Sequence, residues 1–276
     1  MQWNDVMTHN VKLISPVEAR EYCRNHPTES YQLVDVRQPG EYEQGHIPGS
    51  VLIPLDQVVA SQVDLDKSKP TLVYCHAGRR SAAAAQHMAQ MGFTELYDVQ
   101  GGYSSWVGLS AAGPVAHNLN LIGADAEYPD ALAMSYAMES GLQAFYHKLA
   151  EKVDKPEFKT LLERLASFED HHKENLISKG GKGEFAEIPA DYQGIMEGGF
   201  KIDELAQQVL PRMTSNEEVF SLAMAIEAQA FDFYTRLSEQ ASKDDSKKLF
   251  MEMADEEKKH LGLLAGEMDQ ILAAQA

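Results

Sequence analysis

The second half of this chain repeats its chemistry at a fixed offset of 88 residues. Glu139 recurs as Glu227, Tyr146 as Tyr234, Glu169 as Glu257 and His172 as His260. Each half therefore reads a single Glu, a Tyr two helical turns later, and then a Glu-x-x-His pair. Residues three apart share a helix face. Glu169 with His172 can thus hold one ion, Glu257 with His260 another, and Glu139 and Glu227 complete the cage. Two single Glu and two Glu-x-x-His motifs, presented inward by four helices, are the ligand set of a carboxylate-bridged di-iron or di-manganese centre. Oxygen donors combined with imidazole suit those metals. Neighbouring His171 and Glu256 turn about 100° away on their helices and are not expected to be ligands. A buried cluster of this kind needs a cation to balance it, because unpaired buried charge is costly.

Further identical pairs at the same offset are small or apolar: Ala137/Ala225, Phe145/Phe233, Leu149/Leu237, Leu161/Leu249, Ala166/Ala254 and Leu176/Leu264. They predict a duplicated helix hairpin with these residues in its core. One helix is expected over 130–151. A second follows Asp154-Lys155-Pro156 and stops at Gly180-Gly181. A third starts at the capping box Ser215-x-x-Glu218 and ends near Ser238. A fourth runs from Asp244-Asp245 almost to the end. The long connection between the second and third contains one short helical stretch, 201–210, stopped by Pro211. Short loop, long crossover, short loop is the connectivity of a ferritin-like bundle.

The first 110 residues alternate instead. Strands are expected at 11–15, 31–36, 51–53, 71–74 and 96–99. Pro16 opens a helix behind a Ser15 N-cap, and another runs from Arg79 to about Met91. This pattern predicts an α/β domain with a mainly parallel sheet. Ala111-Ala112-Gly113-Pro114 marks the linker. The expected architecture is therefore multidomain: an α/β domain over 1–112 and an all-α four-helix bundle over 113–276.

Net charge is −18. Residues 1–115 carry 8 Lys and Arg against 12 Asp and Glu, and the remainder carries 16 against 30. This acidity argues against nucleic acid and anionic membranes as partners. No apolar run is long enough to span a bilayer. Two cysteines, Cys23 and Cys75, leave no disulfide framework and no Cys-x-x-Cys pair, which fits a reducing cytosol. The N-terminus has neither a basic nor an apolar signal region, so a cytoplasmic location is expected.

Cys75 ends the apolar strand Thr71-Leu72-Val73-Tyr74 and precedes His76-Ala77-Gly78-Arg79-Arg80-Ser81 and an Ala-rich helix. A cysteine at such a turn faces backbone N–H groups and the positive end of a helix dipole, both of which favour thiolate. The same groups can cradle an anion, and Arg79 and Arg80 add positive charge for one such as thiosulfate. Cys23 lies mid-helix without such helpers.

These residues resemble the rhodanese family, whose active loop has the form Cys-x-x-Gly-x-Arg-Ser/Thr. The match is Cys75, Gly78, Arg80 and Ser81. Two further segments agree: Asp35-Val36-Arg37 with Glu41-Tyr42 and Gly45-His46-Ile47-Pro48-Gly49-Ser50, and Gly92-Phe93 with Gly101-Gly102-Tyr103-x-x-Trp106. The resemblance covers about residues 11–110. It implies that Cys75 takes a sulfane sulfur as a persulfide and passes it to a thiol or cyanide. Residues 76–81 would hold the substrate, and Asp35 and Arg37 would brace the loops. A phosphatase of related fold needs Cys-x5-Arg, and Ser81 stands where that Arg would be.

The helical half resembles the rubrerythrin branch of the ferritin-like superfamily over about residues 125–270. That resemblance implies two irons, with manganese as the alternative, peroxide or oxygen chemistry, and Tyr146 and Tyr234 bonded to the ligand shell. It also makes a homodimer a fair expectation. Two departures stand out. The family's extra Glu on helix three is Ala230 here, and there is no paired-cysteine rubredoxin segment, so the electron donor is unidentified. The expected function is a sulfurtransferase fused to a di-iron carboxylate domain, acting on a small sulfur-containing anion and a thiol acceptor. The alternatives are an iron-binding or storage protein and a non-enzymatic persulfide or redox sensor.

Overall fold

A computed structural model describes residues 11–180, 185 and 188–275, with side chains described as far as Met268. Gly181, expected to end the second long helix with Gly180, lies outside the described residues. The chain divides into two compact units between Val115 and Ala116.

The first unit is built on a five-stranded, all-parallel sheet of order β1-β5-β4-β2-β3. The strands are β1 (Val11–Ile14), β2 (Gln32–Asp35), β3 (Val51–Leu52), β4 (Thr71–Tyr74) and β5 (Leu96–Val99). Every residue of β4 is buried. Its Leu72 and Tyr74 pack with Ile14, Leu33 and Val99. Val73 and Cys75 pack with Val34, Ala84 and Met88 on the other face. Period-2 alternation with both faces covered is why the strand reads as a continuous apolar run.

Among the described residues, four α-helices belong to this unit: α1 (Pro16–Asn25), α2 (Pro39–Gln44), α3 (Leu55–Val59) and α4 (Arg79–Gln90). Ser15 caps α1 through a reciprocal pair with Glu18. The expected β4, β5 and α4 are found in place, whereas α2 and α3 had no sequence expectation. At six and five residues they are too short to show an apolar period.

The second unit has four long helices: α5 (Tyr128–Lys152), α6 (Pro156–Gly180), α8 (Asn216–Gln240) and α9 (Asp244–Gln275). They form a four-helix bundle in which α5 packs on α6, α8 on α9, and the two hairpins meet through α5 with α9 and α6 with α8. The capping box at Ser215 and Glu218 is formed. The crossover carries α7 (Ile202–Val209) where a short helical stretch was expected. It also carries an antiparallel hairpin absent from the sequence reading, β6 (Ile195–Met196) and β7 (Phe200–Lys201), joined by a 3-10 turn over Glu197–Gly199. Among the described residues, no helix is long and apolar enough to cross a membrane.

Candidate functional site

Cys75 leaves the carboxyl end of β4, which lies between β5 and β2 in the sheet. This edge of a parallel sheet is where helix N-termini and turn N–H groups converge. Gly78 takes φ +86° and turns the chain directly into α4. Its N–H donates to Cys75 Sγ at 3.1 Å. Cys75 is only 1% exposed, and burial pushes its thiol up. Bonds from Ser81 and from the N–H groups of Ala77 and Arg80 outweigh burial and bring the thiol below its ordinary value.

The loop can offer its N–H groups inward because its carbonyls are held elsewhere. Cys75 O accepts from Tyr103 N at 2.7 Å, and His76 O accepts from Ser104 N at 2.9 Å. Gly102 makes this contact possible. It has φ +56°, and a Cβ there would stand 2.2 Å from Cys75 O. Gly102→Ala is therefore expected to destabilise this unit by about 2–4 kcal/mol and to lower sulfur transfer by misplacing the loop. Thermal melting together with the transfer assay checks both.

Asp35 and Arg37 form a buried brace behind the loop. Arg37 Nε and Nη2 donate to Asp35 at 2.7–3.0 Å, and Nη2 also donates to Gly45 O at 2.7 Å. The guanidinium carbon lies 4.3 Å from the Tyr103 ring centroid. Arg37 thus ties β2 to the segment that grips Cys75 O.

The loop's positive charges have different surroundings. Arg80 makes a two-pronged bond to Glu41 at 2.6 and 2.7 Å, and this bond holds the Glu41 carboxyl down to about 2. Arg79 is exposed, as are His76 and Ala77. Ser81 is buried and donates its hydroxyl to Asp98 Oδ1 at 2.6 Å. Sequence reasoning gave no role to Glu41 or Asp98. Each acts on a loop residue from a distant element, so no local spacing could have flagged it.

In the second unit, all six expected ligands come together inside the bundle. Glu139, Glu169, His172, Glu227 and Glu257 are buried, and His260 is partly so. His172 Nδ1 lies 2.9 Å from Glu139 Oε2 and 3.3 Å from Glu169 Oε2. His260 Nδ1 lies 3.6 Å from Glu227 Oε2 and 3.7 Å from Glu257 Oε2. Each hairpin therefore gathers its own Glu, Glu and His. The two imidazoles stack at 4.0 Å, with Nε2 atoms 2.7 Å apart, so the half-sites face one another. His171 is exposed, and Glu256 Oε1 accepts from Asn175 Nδ2 at 2.7 Å.

A seventh group, Glu197, joins them from the crossover. Its carboxylate is fully buried. Three sets of residues each offer ligand atoms within 4.8 Å of one another: Glu139, Glu169 and His172; His172, Glu257 and His260; Glu139, Glu197 and Glu257. Both carboxylate oxygens of Glu197 and of Glu257, and Oε1 of Glu139, are buried without a hydrogen-bond donor. Such orphaned acceptors are what cations satisfy. The residues present therefore fit a two-metal centre.

Electrostatics agree. Burial, reinforced by neighbouring carboxylates, pushes Glu169, Glu197 and Glu257 well above the usual carboxylate range. Burial pulls His172 down, but Glu139 and Glu169 outweigh it and the imidazole rises to about 12. A cluster like this holds either protons or cations. Tyr146 and Tyr234 are buried beside it, with phenols pushed well above 10 by burial and then by the site's carboxylates, but neither hydroxyl is hydrogen-bonded to a ligand residue, so the expected bonds to the ligand shell are not formed.

Residues 18–109 match the rhodanese-like domain family, and residues 130–192 and 218–274 match the rubrerythrin family. The Bacillus subtilis protein YqhL is 43% identical over 77 residues, covering 28% of this chain and 61% of its own length. The thiosulfate sulfurtransferase GlpE of Coxiella burnetii is 35% identical over 95 residues, covering 34% of this chain and 86% of its own. The solved structure of a rhodanese-related protein from Thermoplasma volcanium is 31% identical, covering 35% of this chain and 90% of its own, with a TM-score of 0.31. The chain thus belongs to the rhodanese-like family, and its helical half carries a match to the rubrerythrin family.

Proposed function

We propose that this protein is a sulfurtransferase in which Cys75 carries sulfur as a persulfide, joined to an iron-loaded centre that reacts with peroxide or oxygen. The two chemistries divide between the two compact units, which part after Val115 rather than at the expected 112, since Ala111 and Gly113 are hydrogen-bonded to His46 and Glu43 of the first unit. The observation that carries the first is the set of N–H groups around Cys75 Sγ, which favours thiolate in a nearly dry pocket.

The Cys75 thiolate attacks the outer sulfur of a small sulfane-sulfur anion such as thiosulfate. A new S–S bond forms at Sγ, the donor's S–S bond breaks, and sulfite leaves with the electron pair. A thiol acceptor, as thiolate, or cyanide then attacks the outer persulfide sulfur. The Sγ–S bond breaks and the Cys75 thiolate returns. The loop N–H groups hold the negative charge on Sγ before attack and after release. Arg79 gives an exposed positive charge for the incoming anion, while Arg80, held by Glu41, fixes the loop.

Treatment with thiosulfate is expected to add one sulfur atom to Cys75, seen in the intact mass and located by peptide mapping. Its rate should rise with pH as thiol becomes thiolate. Because the thiol is lowered, the plateau should come below the ordinary thiol value of about 8.5. An unmodified Cys75, or a rate still climbing above that value, overturns the reading.

In the helical domain, two irons would, when bound, supply electron transfer to oxygen or peroxide. The carboxylates and imidazoles of the cage would hold the irons, and the buried Tyr146 and Tyr234 hydroxyls face the same site. Iron rather than manganese follows the relatives' family, and metal analysis of the purified protein tests it.

A further inference from the structure

Glu197 lies outside both segments matched to the rubrerythrin family. It also lies outside the repeat and outside the four long helices. On the third long helix, Ala230 occupies the position three after Glu227, and it is fully buried. No carboxylate can enter the site from there. We propose that Glu197 is a seventh ligand of the two-metal centre, carried in by the crossover hairpin in place of a helix residue.

The placement is built rather than incidental. Gly141 on α5 lets the hairpin lie against the helix backbone: a Cβ there would stand 2.0 Å from Ile195 O and 2.8 Å from Met196 Cα. Met196, next to Glu197, is fully buried. Ile202 N donates to Gly194 O at 3.0 Å, closing the hairpin behind the turn. Gly198 takes φ +70°, and its carbonyl accepts from Asn118 Nδ2 at 2.7 Å. These contacts fix a turn whose only acidic side chain points inward. Its two oxygens meet no hydrogen-bond donor, and they reach within ligand distance of Glu139 and Glu257. A carboxylate placed there without a cation would be left with nothing to balance it.

A fifth carboxylate changes the charge of the site. Four would neutralise two divalent ions. With Glu197 the ligand set carries about five negative charges, which favours a more oxidised pair of irons over a reduced one. Glu197 therefore both strengthens binding and lowers the reduction potential.

This inference rests on the two-metal reading, and the test separates them. The full chain is stripped of metal and titrated with ferrous iron without oxygen, and its midpoint potential is measured. Wild type should take two irons. Glu197→Gln, nearly the same shape, should bind the second iron roughly tenfold or more weakly and show a higher potential. Glu197→Asp keeps the charge but withdraws the oxygens. It should lose the affinity while holding the potential closer to wild type. It also serves if Glu197→Gln folds poorly, as judged by helical circular dichroism. Two irons in wild type with unchanged affinity and potential in both variants would overturn the role of Glu197 alone. Failure of wild type to bind two irons would overturn the two-metal reading and this inference together.

Discussion

Cys75→Ser should abolish transfer of sulfur from thiosulfate to cyanide, by at least about a thousandfold. The substitution replaces one atom, so the fold should stand. The hydroxyl would meet the same N–H groups that lower the thiol. A few hydrogen bonds lower a thiol enough to favour thiolate, but they cannot deprotonate an alcohol whose starting point is many units higher. The larger difference is chemical. Sulfur attacks sulfur with a soft, polarisable lone pair and stores the product as an S–S bond that a second thiolate can break. Oxygen offers no equivalent store. Thiocyanate production by wild type and variant measures the effect, with circular dichroism confirming the fold. Activity above a tenth of wild type would mean that Cys75 is not the carrier. Cys23, partly buried in the last turn of α1, would then be the next candidate.

Metal loading should raise the melting temperature of the helical domain by on the order of 10 °C. A ligand that binds only the folded state, at about a thousand times its dissociation constant, adds about 4 kcal/mol. For a domain of this size each kcal/mol moves the midpoint by about 2–4 °C. The sign reverses in a suitable variant. Glu257 is fully buried, both its oxygens lack a hydrogen-bond donor, and it belongs to two of the three ligand sets. Glu257→Leu keeps the volume and removes the carboxyl. Without metal the variant should melt at or above wild type, because exchanging a buried ionisable group for a packed apolar one is often neutral or stabilising. With iron it should melt below wild type and show little gain. Calorimetry with and without a chelator reads all four states. Equal gains in both proteins would show that Glu257 does not bind the metal.

Much of this molecule was legible before its structure. The strand before Cys75 reads as apolar because both of its faces are buried, and the turn after it needs Gly78 for a positive φ. The six repeated ligands were legible because a helix places residues three apart on one side, so spacing alone shows a face. The Ser215–Glu218 cap was legible for the same local reason. The partners that tune these groups were not. Glu41 reaches Arg80 across 39 positions, and Asp98 reaches Ser81 across 17. Glu197 sits on a 3-10 turn with no period to betray it, between the two copies of the repeat rather than within either.

Sequence by itself determined the chemistry: one activated cysteine, two copies of a Glu, Glu, His half-site, and two kinds of fold to carry them. These follow from short-range geometry, because peptide dihedrals repeat every two residues in a strand and every 3.6 in a helix. Tertiary structure decided how the sites are completed. Tyr103 N–H gripping Cys75 O beside Gly102, the charge on Arg80 met by Glu41, and Glu197 delivered through the gap at Gly141 all depend on segments far apart in the chain. Such contacts form only when the core closes, and close packing rather than local spacing selects which side chains meet there.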